Sequence, residues 1–464
     1  MEARSLKFIA EATGGTLLNG AAETMVRGIA TDSRLVKAGD FFIALAGERF
    51  DAHTFLPEVA AKRPAAILAS RARVPAGVSQ CPLILVDDTR QAFGRLAAVY
   101  RQQFMLPVVA VGGSNGKTTT KDLIASVLRQ RWPVLASEAS FNNDIGVPLT
   151  LLELSTTHRA AVLEVGTNHP GELAPLLQII QPRFGVITSI GREHLEFFGD
   201  LAGVVREEGF MGEVLPADGR LFVHGEGDWL PALAARSRAP VVRIGFGTGM
   251  NLCGEDVRLD GSGVTFRVKS EHAGMDVEYR VNLLGRHQVL NALLAIGVGA
   301  ELGLTPEEIA QGLLECQPPK MRLQVWNWKG VTMLDDSYNA NADSMLAALQ
   351  TLHDLPCAGR RVAVLGDMAE LGAETEPAHI EVGRRTAELG INHLIAVGRM
   401  AGTTAAAARR AGLTSAVDVS EVDSATAVLR AMVRPGDTVL LKASRSTRLD
   451  RLGEALRESA IEKN

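Results

Sequence analysis

With 464 residues, and about 150 residues to a domain, the chain has room for roughly three domains. Hydrophobic residues make up 46%, which excludes a disordered protein, and 48 Lys+Arg against 53 Asp+Glu leave a net charge of −5. That balance excludes a strongly basic nucleic-acid binder and an acidic tail protein, while leaving space for a local basic pocket.

The four cysteines (Cys81, Cys253, Cys316 and Cys357) are far apart and form no CxxC, so neither a disulfide frame nor a structural zinc is expected. The N-terminus opens no signal peptide, and no apolar stretch is long enough to span a bilayer. A cytoplasmic protein without membrane insertion is expected, and a monomer by default. The 46 glycines, with no strict repeat, point to tight turns and close approaches of backbone to ligand.

The first segment, to about residue 106, reads as a small α/β domain. It has short strands at Phe41 to Ala46, Ile67 to Ala69 and Leu83 to Val86, and a helix from Thr89 to Phe104 with apolar residues at helical spacing. Leu106-Pro107 breaks that helix. The second segment, 107–318, opens with the strand Val108 to Val111, a Gly-rich loop and a helix from Thr118 to Arg131. Apolar runs at Ala160 to Val165, Gly185 to Ile190 and Arg220 to Val223 continue the alternation of strand and helix, which predicts a mostly parallel sheet. From Val241 to Leu284 the pattern shifts to short alternating strands, read as an antiparallel addition at the sheet edge. A helix from Val289 to Leu302 closes the domain, with Pro318-Pro319 as linker. The third segment, 319–464, alternates again, with strands at Val331 to Asp335, Arg361 to Leu365, His393 to Val397 and Thr438 to Leu441. It reads as a smaller, Rossmann-like open α/β sheet.

Four strand-ending strings carry chemistry. Gly112-Gly113-Ser114-Asn115-Gly116-Lys117-Thr118-Thr119 lies between an apolar strand and a helix, the context of a phosphate loop: backbone N–H groups and a helix N-terminus for phosphates, a lysine for charge, a hydroxyl for magnesium. Residue 111 is Val, so the first glycine stands one residue closer than in GxxxxGK[ST]. Glu164 ends the strand from Ala160, a hard oxygen donor suited to magnesium. His194 lies in the polar turn after Val186 to Ile190, and Asp335-Asp336-Ser337-Tyr338-Asn339 follows the first strand of the third segment. Each also has a bland reading, as a solvated strand end or an Asx-rich turn.

In this order and spacing, the four strings resemble the Mur ligase family of peptidoglycan synthesis over nearly the whole chain. In the first segment Thr31-Asp32-Ser33-Arg34, Gly39-Asp40-Phe41-Phe42 and Ala44-Leu45-Ala46-Gly47 resemble its uridine-nucleotide-binding elements. Asn142-Asn143-Asp144-Ile145-Gly146 and Leu283 to Ala292 match centrally. Tyr338-Asn339-Ala340-Asn341, Gly366-Asp367-Met368-Ala369-Glu370-Leu371-Gly372 and Lys442-Ala443-Ser444-Arg445 match in the third segment. The Tyr-Asn-Ala-Asn and Gly-Asp-Met-Ala-Glu-Leu-Gly strings are those of the branch that adds D-alanyl-D-alanine to UDP-N-acetylmuramoyl-tripeptide. The Asp-Asn-Pro-Arg string of the diaminopimelate-adding branch is absent.

The resemblance implies an ATP-dependent amide ligase working through an acyl phosphate, with ATP and Mg2+ as cofactors and those two substrates as partners. It implies a UDP-sugar domain at 1–106, an ATPase and ligase domain at 107–318, and a closing, dipeptide-binding domain at 319–464. ATP falls to Gly113, Ser114, Asn115, Gly116, Lys117, Thr118, Thr119, Asn291, Arg322 and Asp336. Catalysis falls to Lys117, His194 and Arg322. Magnesium falls to Thr118, Glu164 and His194, and the UDP-muramoyl-peptide to Ser33, Arg34, Ala46, Gly47 and Asn143. The family often carries a carbamylated lysine fourteen residues after the histidine; here Glu208 holds that position. The expectation is that its carboxylate replaces the carbamate at the second magnesium. Two other readings stand beside this one: a related amino-acid ligase such as a folylpolyglutamate synthetase, and a phosphate-loop ATPase acting as a switch.

Overall fold

The computed structural model describes residues 1–47, 50–75, 77–78, 80–270 and 274–461. The fold is α/β, with mixed parallel and antiparallel sheets. The chain divides into two compact units. One comprises Met1–Ala110, Trp132–Gly166 and Leu173–Phe184; the other comprises Val111–Arg131, Thr167–Glu172 and Gly185–Asn464.

In the first unit a five-stranded sheet runs in the order Thr16–Leu18, Leu83–Val86, Ala66–Ser70, Phe41–Ile43, Ile29–Ala30. All its pairs are parallel except the first. The strands Phe41–Ile43 and Ala66–Ser70 are buried throughout, as expected of a sheet covered on both faces. The helix Thr89–Arg101 is capped by Asp88, whose carboxylate accepts from the Arg90 and Gln91 N–H groups. It stops three residues short of the sequence expectation, and Phe41 to Ala46 shortens to three strand residues followed by an isolated bridge from Ala46 to Asp51. The strand Ala160–Glu164, also wholly buried, pairs in parallel with Val134–Ala136.

In the second unit Arg220–His224 pairs in parallel with Val241–Gly245, which pairs in parallel with Leu252–Asp260. The antiparallel addition therefore begins later than the expected Val241: it consists of Leu252–Asp260, Gly263–Ser270 and Glu278–Val281. The glycines that turn the chain between the parallel strands, Gly247 and Gly249, both have positive φ. The helix Gln288–Glu301 is followed by one the sequence reading passed over, Pro306–Glu315. It opens with a capping box: the Thr305 hydroxyl accepts from the Glu308 N–H, and the Glu308 carboxylate accepts from the Thr305 N–H.

The six-stranded sheet has the order Gln324–Trp328, Val331–Asp336, Thr438–Lys442, Arg361–Gly366, His393–Val397, Ala416–Val419. Its first pair is antiparallel and the rest are parallel. One apolar core, with Leu334, Leu349, Leu352 and Leu440, covers one face. Another, with Val364, Leu429, Leu441 and Leu452, covers the other. Strand order reverses around Val331–Asp336 and Thr438–Lys442, so the ligand crevice of an open α/β sheet falls at their carboxyl ends, at Asp336 and Lys442.

Candidate functional site

The buried strand Val108–Gly112 leads into a loop that only glycine can build. Gly113 has φ +103° and Gly116 φ +86°. A Cβ on Gly113 would lie 2.6 Å from Thr188 Oγ1, and one on Gly116 2.6 Å from Asn291 Oδ1. The helix Lys117–Arg129 then begins with no side chain capping it, so its first N–H groups and dipole are left for an anion. Thr118 and Thr119 are buried in its first turn, and the Thr118 hydroxyl has no hydrogen-bond partner.

The turn that follows Phe184–Ile187 holds this loop in shape. The Ser114 N–H donates to the Ser189 carbonyl at 2.8 Å, the Asn115 N–H to Ser189 Oγ at 2.9 Å, and the Gly191 N–H to Ser114 Oγ at 2.8 Å. The Lys117 ammonium donates to the Gly113 carbonyl at 2.5 Å and the Ser114 carbonyl at 3.2 Å, and lies 3.5 Å from Glu193 Oε2. Beneath the loop Glu208, at the end of Leu201–Glu208, accepts from the Gly113 N–H at 2.9 Å. Burial pushes its carboxyl up to about 8. Lys117 and the Gly113 bond pull the other way, while Glu193 and Glu207 add to the rise.

In the first unit, Glu164 accepts from Asn142 Nδ2 at 2.9 Å through one oxygen, and its other oxygen is buried with no partner. Thr118 and Glu164 thus each keep an uncommitted oxygen, the state of a hard donor to a cation. Among the described residues no three His, Cys, Asp or Glu side chains form a metal cage. Magnesium needs none, since it is commonly held by one or two protein oxygens with phosphates and water completing the shell.

His194, with φ +48°, sets its Nδ1 2.5 Å from Glu370 Oε2, and the Glu196 N–H donates to the Glu370 carbonyl. Its neighbour Arg192 makes a two-nitrogen contact to Asp343 Oδ1 at 2.7 and 2.9 Å, and a further bond to Glu381 at 2.7 Å. Its backbone N–H donates to Asp343 Oδ2. Burial works against the charge of this guanidinium, but the Glu381 and Asp343 bonds outweigh it and raise its pKa. Asn341 Nδ2 donates to Asn115 Oδ1 at 3.0 Å, so the Tyr-Asn-Ala-Asn string reaches the phosphate loop.

At the carboxyl edge of the six-stranded sheet Asp336 accepts from Lys442 Nζ at 2.5 Å and from the Leu323 N–H at 3.2 Å. Arg322 stacks over the Tyr338 ring at 4.4 Å, with Arg445 also within 5.7 Å of it. Asn291 is buried against Gly116: its Oδ1 accepts from Thr120 Oγ1 and its Nδ2 donates to Gln288. The residues that the sequence reading missed are Glu193, Asp343, Glu370 and Glu381. Glu193 adjoins His194 in the strand-end turn, a local signal that was present. Glu370 lies in the Gly366 to Gly372 string matched to the family, which gave it no role of its own, and Asp343 and Glu381 are far away in sequence and gave no signal.

The expected nucleotide-sugar residues lie on three loops of the first unit. Arg34 is exposed and paired in a fork with Asp32, and the Ser33 carbonyl accepts from Lys62 Nζ. Beside them is a cavity of about 340 Å3 lined by Ala30, Thr31, Asp32, Lys37 and Asp40 among others. Ala46 bridges to Asp51, and the Gly47 N–H donates to the Phe50 carbonyl. Asn143 uses its side-chain oxygen locally, accepting from the Ile145 and Gly146 N–H groups at the start of the helix Gly146–Leu151.

The Mur ligase middle domain matches residues 111–299, and the family described as Mur ligase, glutamate ligase domain, matches 321–445. The chain belongs to the Mur ligase family. Its relatives place it more narrowly. The UDP-N-acetylmuramoyl-tripeptide--D-alanyl-D-alanine ligase of Escherichia coli (strain K12) is 35% identical, over 96% of this chain and 97% of its own. A crystal structure of MurF from Acinetobacter baumannii superposes with a TM-score of 0.91 at 32% identity, covering 99% of each chain. MurF from Thermotoga maritima, solved with ADP, gives 0.81 at 25% identity, over 94% of this chain and 99% of its own. The architecture is thus the three-domain α/β fold of MurF.

Proposed function

We propose that this chain is an ATP-dependent ligase of the MurF type, joining D-alanyl-D-alanine to UDP-N-acetylmuramoyl-tripeptide to give the pentapeptide, ADP and phosphate. The observation that carries this reading is the phosphate loop, built in a chain that matches such ligases end to end. A carboxylate does not acylate an amine unaided. Its oxygen first attacks the γ-phosphorus of ATP and ADP leaves; the dipeptide amine then attacks the acyl carbon, and phosphate departs with that oxygen.

The work of the protein in both steps is positioning and neutralising charge. The N–H groups of Gly116 to Thr119 and the helix dipole face the phosphates, while Gly113, Ser114 and Asn115 use theirs to hold the loop in shape. Lys117, freed from its loop carbonyls, moves to the β- and γ-oxygens. Magnesium fits the donor set, with the open oxygens of Thr118 and Glu164 as its hard ligands and His194 and Glu208 as candidates for a second ion. When bound it neutralises phosphate charge. Asn291, Arg322 and Asp336 serve the rest of ATP. Ser33, Arg34, Ala46, Gly47 and Asn143 serve the UDP-muramoyl-peptide. The tasks divide among 1–106, 107–318 and 319–464 in that order. Among the described residues no helix is long and apolar enough to cross a membrane, and the nucleotide substrates suit a cytoplasmic enzyme.

The test is ADP release by the purified protein with UDP-muramoyl-tripeptides carrying lysine or diaminopimelate at the third position. Release only when tripeptide and D-alanyl-D-alanine are both present is expected, with pentapeptide found by mass. No release with either tripeptide refutes the reading. Rapid ATP hydrolysis without acceptor favours the switch instead.

A further inference from the structure

The turn Gly191–His194 faces two ways. Gly191 and Glu193 turn toward the phosphate loop: the Gly191 N–H donates to Ser114 Oγ, and Glu193 lies 3.5 Å from the Lys117 ammonium. Arg192 and His194 turn toward the C-terminal α/β domain and end on carboxylates of three different elements. Asp343 lies in the first turn of the helix Ala342–Asp354, Glu370 in the loop after the strand Arg361–Gly366, and Glu381 in the helix Thr375–Glu388. A Cβ on Gly191 would lie 2.7 Å from Asp343 Oδ2, so the approach at this turn is as close as backbone allows.

We propose that Arg192 is a positioning residue for the ligation: it docks the C-terminal domain through Asp343 and Glu381, and through its own turn makes that docking set the phosphate loop. The proposal rests on the ligase reading. Arg192 touches neither the loop nor a substrate. Its guanidinium holds two carboxylates in a fixed fork, which a lysine does not reproduce. Its backbone N–H is held by the same Asp343, so the turn and the domain move together. Residues 191 and 193, one step away on either side, then carry that position to Ser114 and Lys117. A misplacement of about 1 Å in such an arrangement lowers turnover on the order of a hundredfold.

The test uses the full chain with Arg192→Ala, Asp343→Ala, the double variant, and Arg192→Lys. Each single alanine variant is expected to lower kcat at least about tenfold while leaving KM for the UDP-muramoyl-tripeptide within about twofold. The double variant should lose clearly less than the product of the two single losses, since both changes undo the shared side-chain contact between Arg192 and Asp343. Arg192→Lys should lie between wild type and Arg192→Ala. It also keeps the question open to test if an alanine variant fails to fold. Small-angle X-ray scattering with a non-hydrolysable ATP analogue gives a readout free of turnover, with a larger radius of gyration expected for Arg192→Ala than for wild type. Losses that multiply in the double variant, kcat unchanged in Arg192→Lys, or equal radii overturn the proposal. A wild-type protein inactive with both substrates overturns the ligase reading instead, and the scattering comparison still decides the role of Arg192.

Discussion

The Asp336 carboxylate and the Lys442 ammonium meet at the crevice of the C-terminal sheet with little solvent, their side chains 15% and 3% exposed. Removing one partner of such a pair strands the other charge, which costs several times what the pair contributes. Asp336→Asn is expected to lower unfolding free energy by about 3 kcal/mol in urea titration, and adding Lys442→Met should recover most of it. Glu208 has the opposite problem, a carboxyl whose burial outweighs the pull of Lys117. Its folded value of about 8 lies above the ordinary 4.5. The folded state therefore holds a proton that the unfolded chain releases, and the stability so gained is full below 4.5 and lost as pH rises through about 8. Glu208→Gln should flatten that loss, seen as a smaller fall in melting temperature between pH 6 and 9. Glu208 stands at the position where the resemblance implies a carbamylated lysine, and in the proposed reading it gives up its proton to bind magnesium; wild-type turnover should then hold within about twofold in buffer stripped of carbon dioxide. A strong dependence on bicarbonate would defeat that substitution idea.

At the scale of elements, the helix Gln288–Glu301 enters through His287. Burial holds that imidazole down to about 4, with nearby Lys442 lowering it further and Asp336 opposing, and its Nε2 lies 3.0 Å from the Gln288 amide nitrogen. Here the unfolded chain takes up the proton. Stability from neutral His287 is full above the ordinary 6.5 and is lost as pH falls to about 4. His287→Gln should remove much of the acid limb in a chemical-denaturation series from pH 7 to 4, by about 3 kcal/mol. The next helix, Pro306–Glu315, depends on its capping box. Thr305→Ala should lower stability by about 1 kcal/mol, and Thr305→Ser should keep it.

At the scale of the whole molecule, elements with a local cause were legible in sequence. The strands Leu83–Val86 and His393–Val397 fall on their expected residues, because a short apolar run between turn residues has few other uses in an α/β chain. The phosphate loop was legible because its glycines, lysine and hydroxyl are contiguous. The capping box at Thr305 and Glu308 is equally local, a Thr-Pro-Glu-Glu string that marks a helix start four residues after the preceding helix ends. What could not be read is what the fold brings together from afar. Asp343 and Glu381 lie 151 and 189 residues from Arg192, and Glu370 lies 176 from His194, and their spacing along the chain carries no trace of those meetings. Nor does the sequence show the bonds to the protein that Asn143 and Asn291, the two amides assigned to ligands by resemblance, also make: Asn143 to the Gly146 N–H, and Asn291 to Thr120 and Gln288.

The alternation along Gly191–His194 has a consequence for how this enzyme can drift over generations. The Arg192 and Glu193 side chains face opposite partners, and at Gly191 the backbone holds Ser114 where a side chain would meet Asp343. Insertion or deletion of a single residue would present the phosphate loop with the side chains meant for the C-terminal carboxylates, and the reverse. Length at this turn is thus under selection in its own right. Homologues should keep the same count of residues between the strand Phe184–Ile187 and the helix Leu201–Glu208.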